Sequence, residues 1–494
     1  VTGQLERGTV AAWGQSCRRG LEHLETDMKK MLFVVGFLAC TTAGLAQSPD
    51  PLTLDQALRI ALQSHRSMQV SQASLAMAEA QYQQAMAAFG PRLNLEAGFQ
   101  RADEVRTFSF SGLVQTPALA LPVGPGGAFV PIPGQPLPIN LDVRMFDRDV
   151  TRAALNLTVP LYTGGKKEAI TGMARKGIEV AAEEKRKTEL DVVRDVSRYY
   201  NGMRFAQQMA NLTSDTLERF QALDDLTERL YQNASLKVKK TDYLRSKTTT
   251  AMTRSMLHEA NYATQLTHDA LVNAMGLPAN SRVSLAPEAS LPVLDAGLES
   301  LIADAMQFNP DKQRLELAVQ AADLKLDEAR SGFLPTIGLE VSTYRVWNDY
   351  PGGLFNEANR NGWTLGVGLK WDLFDGGLTR ASVNAAQAGK LKLQAQRVLL
   401  DSGLALQVKD DFLRIQRSLA QVSDSTKAQG FAEENRKLHV RAYQEELVET
   451  KDVIEAQIIE SLSSASLYRA RHDLRVALSD LDYRLGRSLA QTKP

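Results

Sequence analysis

A mainly α-helical chain with a membrane β part is the fold class this sequence predicts, built as an internally duplicated helix-strand-strand-helix-helix unit. Three observations lead there. The second half of the chain repeats the first at constant spacing, each half carries two strands of period-two alternation, and each holds a very long, polar, Pro-free run.

The duplication comes first, because a repeat sets the architecture. Pro91 and Pro335 lie 244 residues apart, and at that offset Ala61 meets Ala305, Gln63 meets Gln307, Ala78 meets Ala322, Ala85 meets Ala329 and Leu95 meets Leu339. Pro160-Leu161-Tyr162-Thr163-Gly164-Gly165 matches Asp372-Leu373-Phe374-Asp375-Gly376-Gly377 at an offset of 212, which also carries Tyr231 onto Tyr443. Asp242 then meets Asp452 and Gly276 meets Gly486 at 210, so the first copy holds two extra residues near 232–241. The organisation expected is a first repeat over 47–278, a linker with several prolines over 279–298, a second repeat over 299–490 and a tail over 491–494.

Strands are predicted at about 92–106 and 150–162, and again at about 336–347 and 362–374. In the first, Leu93, Leu95, Ala97 and Phe99 alternate with Asn94, Glu96 and Gln100; in the last, Leu365, Val367, Leu369, Trp371 and Leu373 form one face. One apolar and one polar face suit a barrel with lipid outside and water inside. Four strands cannot close such a barrel, since spanning barrels begin at about eight. An open edge in lipid leaves backbone groups unsatisfied, so several chains must share one barrel.

The runs from Lys166 to about Gln232 and from about Leu378 to Tyr443 predict helices of roughly 100 Å at about 1.5 Å per residue. Ala405, Val408, Phe412, Ile415, Leu419 and Val422 repeat at heptad spacing, as do Val193, Val196, Tyr200, Met203, Gln207 and Ala210, which predicts coiled-coil-like pairing. Return helices are expected from about Lys240 to Met275 and Lys451 to Leu485, with single helices over 53–90 and 299–333 completing the length. The segment from about Thr107 to Val150, rich in Pro, Gly, Leu and Val, is expected to be an external loop; folding over a pore mouth, packing between copies and mobility all remain open for it.

Composition excludes other classes. With 57 basic and 57 acidic side chains and no basic block interleaved with aromatics, nucleic acid is not an expected partner. Met28-Lys29-Lys30, the apolar run to Ala39 and Gly44-Leu45-Ala46 before Gln47 read as a secretory signal over 28–46, with Met28 the expected start and 1–27 an upstream extension. Leu38-Ala39-Cys40 offers the alternative of an acylated Cys40. The two cysteines, Cys17 and Cys40, both precede residue 47, so the expected mature chain has neither a disulfide nor a thiolate zinc site. No nucleophile elbow, phosphate loop or metal-ligand spacing is present, so neither an enzyme nor a cofactor is expected.

The junctions Phe89-Gly90-Pro91 and Phe333-Leu334-Pro335, the Leu-aromatic-x-Gly-Gly returns, the opening Leu52-Thr53-Leu54-Asp55-Gln56-Ala57-Leu58 and the endings Met275-Gly276 and Leu485-Gly486 resemble the TolC-like outer membrane efflux proteins over nearly all of 47–490. That resemblance implies a homotrimer with a 12-stranded β-barrel in outer membrane lipid and a long α-helical barrel in the periplasm. It implies passive export of substrates delivered by an inner-membrane RND, ABC or MFS-type pump through a periplasmic adaptor. It also implies an acidic aperture ring at Asp452 and Glu455, with a helix cap as the plainer reading of Asp452. A gate latch is implied at Tyr443, Asp242 and Thr241, although the expected arginine is Val448, and adaptor-docking tips at Leu236, Lys237, Glu446 and Leu447, with Leu236 and Glu446 standing where the family favours glycine. The rival reading is a trimeric coiled-coil structural or adaptor protein without a pore. Adaptors use one helical hairpin and lack lipid-facing strands.

Overall fold

The structure, a computed structural model, describes residues 51–123, 128–233, 238–288, 296–445 and 447–487. The signal and upstream extension, Cys40, Leu236, Lys237, Glu446 and the tail lie outside the described residues. Contacts divide the chain into two compact units. In the smaller, Leu52 joins Ser284 and Ala286 through backbone hydrogen bonds of 2.8 and 2.9 Å, around a parallel bridge to Leu285. Among the described residues, the larger unit, Thr53–Ser281 with Glu288 onward, holds every helix and sheet strand.

Two copies of one motif make up the larger unit. The first runs α1 (Leu54–Ser64), α2 (Arg66–Ala87), β1 (Arg92–Arg101), an insertion, β6 (Asp149–Tyr162), α3 (Lys166–Gln232) and α4 (Lys240–Ala274). The second runs α5 (Leu298–Phe308), α6 (Pro310–Arg330), β7 (Thr336–Asn348), β8 (Asn361–Lys370), α7 (Leu378–Gln444) and α8 (Thr450–Leu485). Helices α3 and α7 are both 67 residues long and start 212 residues apart.

The helices expected as single over 53–90 and 299–333 are each broken in two, at His65 and Asn309. Both residues are extended, and both cap the next helix: His65 Nδ1 accepts the Ser67 N–H at 3.1 Å, and Asn309 Oδ1 accepts the Asp311 N–H at 3.0 Å. Pro310 enforces the second break, because proline disfavours helical backbone in the residue before it. The breaks let the ends of the return helices tuck in. A Cβ on Gly276 would lie 2.6 Å from the Ser64 carbonyl oxygen, and one on Gly486 would lie 2.2 Å from that of Phe308.

The strands form one antiparallel sheet in the order β1-β6-β7-β8, leaving β1 and β8 as open edges. Two strands end earlier than the alternation suggests. β1 stops at Arg101, where Asp103 accepts its neighbour's N–H, and β8 stops at Lys370, where the Trp371 indole donates to the Phe333 carbonyl at 3.0 Å. The 107–150 segment is no open loop. It holds β2 (Thr107–Gln115) paired with β5 (Pro136–Arg144), and β3 (Leu119–Val123) paired with β4 (Ala128–Ile132). At the other end of the sheet, Gly165 and Gly377 precede α3 and α7 with φ of 83° and 90°, so the chain reverses direction through a left-handed backbone that residues with a side chain rarely adopt.

Helix α3 packs against α2 and α6 along one stretch and against α4 and α8 along the next, while α7 packs against α6 and then α8. The result is a wall four helices wide, with α2 and α4 on one edge and α7 on the other. The buried seam of α7 runs through Leu404, Val408, Asp411, Ile415 and Ser418. It is turned slightly from the expected apolar stripe: Phe412 is half-buried and Leu419 stays 41 % exposed. The cause is Asp411, fully buried and held by the guanidinium groups of Arg484 on α8 and Arg414 on its own helix. Burial pushes its carboxyl above the ordinary range, and the two arginines act against that shift.

Between the repeats, the His472 ring on α8 stacks on Phe205 of α3 with centroids 5.1 Å apart, and its Nδ1 has no hydrogen-bond partner. Burial depresses its pKa below the ordinary 6.5, against the pull of Asp473 and with Arg475 and Arg469 assisting. A depressed pKa means the unfolded chain takes up the proton first, so this contribution to stability is complete above the ordinary value and lost as pH falls through the folded one. Thermal unfolding followed from neutral to acidic pH is expected to show a steeper fall for the wild type than for His472→Phe, which keeps the stack and removes the titration. Gly276→Ala and Gly486→Ala are each expected to cost about 2 kcal/mol or more, read as a lowered unfolding midpoint, because positive φ and a backbone clash coincide there.

Candidate functional site

The two helix tips are built alike. Lys239 precedes α4, and its N–H is accepted by Asp242 at 3.1 Å; Glu449 precedes α8, and its N–H is accepted by Asp452 at 3.0 Å. Each acid sits in the first turn, where it satisfies an orphan backbone donor and complements the helix dipole. Lys239 Nζ lies 3.8 Å from Glu449, which brings the tips of the two repeats together. Asp452 is half-buried and Glu455, one turn further on, is exposed.

Of the latch residues, Asp242 is buried with its carboxylate on the Lys239 amide, while Thr241 is exposed. The Tyr443 hydroxyl shares a 3.1 Å hydrogen bond with Thr450 Oγ1 across the α7–α8 turn. Among the described residues no hydrogen bond joins Asp242 to Tyr443 within one protomer. Leu447 is 72 % exposed, and its N–H closes the end of α7 on the Ala442 carbonyl at 2.8 Å.

Beneath the tips lies a layer that the sequence analysis did not single out. Phe220 and Leu223 of α3 bury against Val453 and Ile454 of α8, with Tyr443 and Val448 packed on them. Next to this cluster the buried Glu460 of α8 pairs with Arg219 of α3 at 2.7 Å and with Arg436 of α7 at 2.8 Å. One carboxylate thus ties three helices. Lys247 of α4 bonds Glu228 at 2.7 Å and Asp224 at 3.2 Å, both on α3, and those bonds raise its ammonium above the ordinary lysine range. A signal for Glu460 was present: it falls among Val453, Gln457, Ser464 and Leu467, the buried positions of α8, where a charge needs partners.

At the opposite end of the wall, the sheet presents an outward apolar face. Leu93, Leu95 and Phe99 of β1 are 62–72 % exposed, and Trp363, Leu365, Val367 and Leu369 of β8 are 62–73 % exposed. Both edge strands lack proline, so each offers an unbroken row of backbone donors and acceptors. Among the described residues no helix is long and apolar enough to cross a membrane, and no group of three or more His, Cys, Asp or Glu gathers to hold a metal.

The family model described as outer membrane efflux protein matches residues 57–277 and 301–487, the bulk of both repeats. The chain belongs to that family. The sheet of this outer membrane efflux protein therefore sits in the outer membrane, and its helices extend into the periplasm. The fusaric acid resistance protein FusA of Burkholderia cepacia is 29 % identical over 237 residues, which is 48 % of this chain and 44 % of FusA. The toluene efflux pump outer membrane protein TtgC of Pseudomonas putida is 23 % identical over 269 residues, 52 % of this chain and 54 % of the relative. The chain thus spans about half the length of the curated relatives it matches. In fold, the Campylobacter jejuni CmeC outer membrane channel is similar at a TM-score of 0.71 and 13 % identity, covering 89 % of this chain and 87 % of that one.

Removing the Glu460 carboxylate leaves two guanidinium groups facing each other in a buried layer. Glu460→Gln is expected to cost about 3 kcal/mol, with chemical denaturation as the readout. Exposed pairs such as Lys427–Asp424 are expected to change stability by less than about 1 kcal/mol when broken.

Proposed function

We propose that this protein is the outer membrane channel of a tripartite efflux or type I secretion system, a passive exit duct assembled from three identical chains. The observation that carries the reading is the open four-stranded sheet with its outward apolar face and two unblocked edges. Strands in lipid must have every backbone group paired. Successive strands are antiparallel, so β1 of one copy and β8 of the next continue the alternation.

The helical wall supports the same join. β1 follows α2 and β8 precedes α7, so the edges of sheet and wall coincide in order. The α7 edge exposes Leu391, Leu399, Leu406, Leu413, Phe431 and Leu438, mostly at heptad spacing, at 51–74 %. In the first repeat, Leu391, Leu399, Leu406, Leu413 and Phe431 correspond to Glu179, Lys187, Arg194, Asn201 and Arg219. Helices α2 and α4 on the opposite edge expose Val70, Met77, Met252, Met256 and Leu266 at 53–66 %. A contact between two different edges is heterologous, and repetition of it closes into a ring. Three copies make a 12-stranded barrel.

Transport energy then comes from an inner-membrane RND, ABC or MFS-type pump, joined through a periplasmic adaptor that docks on the helix tips near Leu447 and the segments carrying Leu236, Lys237 and Glu446. Asp452 and Glu455 of each copy ring the periplasmic mouth and favour cations, while Tyr443, Asp242 and Thr241 close it across neighbouring helices. Single-channel recording of the extracted trimer in planar bilayers tests this. Cation-selective steps are expected from the wild type, and weaker selectivity from Asp452→Asn combined with Glu455→Gln. Unchanged selectivity removes the acidic mouth; an assembled trimer that stays silent even with its tips loosened removes the channel.

A further inference from the structure

The β1–β6 insertion carries an unpartnered surface. Strands β2 and β5 pair with Phe108 opposite Val143, Phe110 opposite Leu141, Gly112 opposite Ile139 and Val114 opposite Leu137. Residues opposite each other in an antiparallel pair share a face, so one face of this hairpin is apolar throughout. Of the intervening pairs, Ser109 with Asp142 and Ser111 with Asn140 make the other face polar toward the base, and Leu113 with Pro138 follows them toward the tip. Phe108, Phe110, Val114, Leu137, Ile139 and Leu141 are 40–59 % exposed in the single chain. A two-stranded hairpin is marginal in water unless its apolar face is covered.

Two observations narrow what covers it. The first is a charged collar between the lipid-facing strands and the arm. Arg101 pairs with Asp149, Arg148 donates to the Ala102 carbonyl, and the buried Asp147 takes the guanidinium of Arg144 and the amide N–H groups of Arg148 and Tyr350. The apolar face of the arm therefore starts beyond a polar layer and does not continue the membrane-facing wall. The collar also fixes the arm's base, since Leu354 donates its N–H to the Met145 carbonyl at 2.9 Å and Phe146 packs edge-on against Phe355, both partners lying in the β7–β8 connection.

The second is the edge chemistry. β5 carries Pro136 and Pro138, which remove backbone donors and are tolerated on a strand only where its N–H side is unpaired. That edge is poor at accepting another strand. The membrane sheet is the reverse, with proline-free edges. A head-to-tail edge join between arms would need the β5 edge as well as the proline-free β2 edge, so copies that join along β1 and β8 in the barrel are left to meet through the faces of their arms.

We infer that the apolar faces of the three arms converge on one another, forming a protein crown above the outer mouth of the pore. The occupant is a second copy of this chain, brought alongside by the β1–β8 join. The inference rests on the trimer proposed above.

Single-cysteine variants test it in the assembled protein in lipid nanodiscs. Ile139→Cys on the apolar face, treated with a flexible bismaleimide, is expected to give covalent dimers and trimers on denaturing gels. Ser111→Cys on the polar face is expected to remain monomeric, and the wild type reports any background from Cys17 or Cys40. Monomers only from Ile139→Cys in an intact trimer overturn the crown and leave the channel standing. A fluorophore at residue 139 gives the second readout: no quenching by spin-labelled lipid is expected, and strong quenching assigns the face to the membrane and overturns the inference. Wild-type protein that does not trimerise at all overturns both readings, which native mass measurement shows before any cross-linking.

Discussion

An unpaired backbone amide in hydrocarbon has nothing to bond to, and the four-stranded sheet of this chain ends in two rows of them. Much of the rest follows from that constraint. The edges are proline-free and bounded by exposed apolar side chains, features that would invite aggregation in a soluble protein. In the channel proposed above they mark where the next copy joins. The helical wall obeys the same order, because each edge strand is joined in sequence to an edge helix, so one contact closes both layers.

Within one chain the repeats are bound by a different kind of interaction. Helix α3 is the shared partner, packing on elements of both repeats, and polar groups set its register. Glu460 draws α3, α7 and α8 together, and Asp411 joins α7 to the end of α8. Buried pairs of this kind add little net stability compared with apolar replacements, but a single missing partner is costly. Such pairs fix which turn of one helix lies against which turn of the next.

The arm is where this chain departs most from a plain duplication. The second repeat connects its strands by a short segment pinned on Asp147 and Asn348, whereas the first inserts two further hairpin layers. Its apolar face and proline-bearing edge are opposite in design to the membrane sheet. Edge pairing in lipid and face packing in water are the two modes that the proposed assembly assigns to these surfaces.

Much was legible in the sequence because it is periodic. Period-two alternation located the four membrane strands, constant offsets located equal 67-residue helices, and glycine and proline marked the reversals between them. Membership of the outer membrane efflux family follows from the order of those signals. What the sequence left undetermined depends on contacts between distant residues. The break at Asn309 has a local mark in Pro310, but only the packing shows that both breaks receive glycines, Gly276 and Gly486, from more than 170 residues away. Asp411 and Glu460 have no partner in their own stretch of sequence that accounts for their burial: α8 brings Arg484 against the one, and helices α3 and α7 bring Arg219 and Arg436 against the other. The 107–150 segment looked like a loop because its prolines and glycines obscure alternation, and only the pairing of β2 with β5 shows that its apolar residues share a face. Local periodicity is written in the chain itself; which buried charge finds a partner, and which face is left uncovered, is decided by packing.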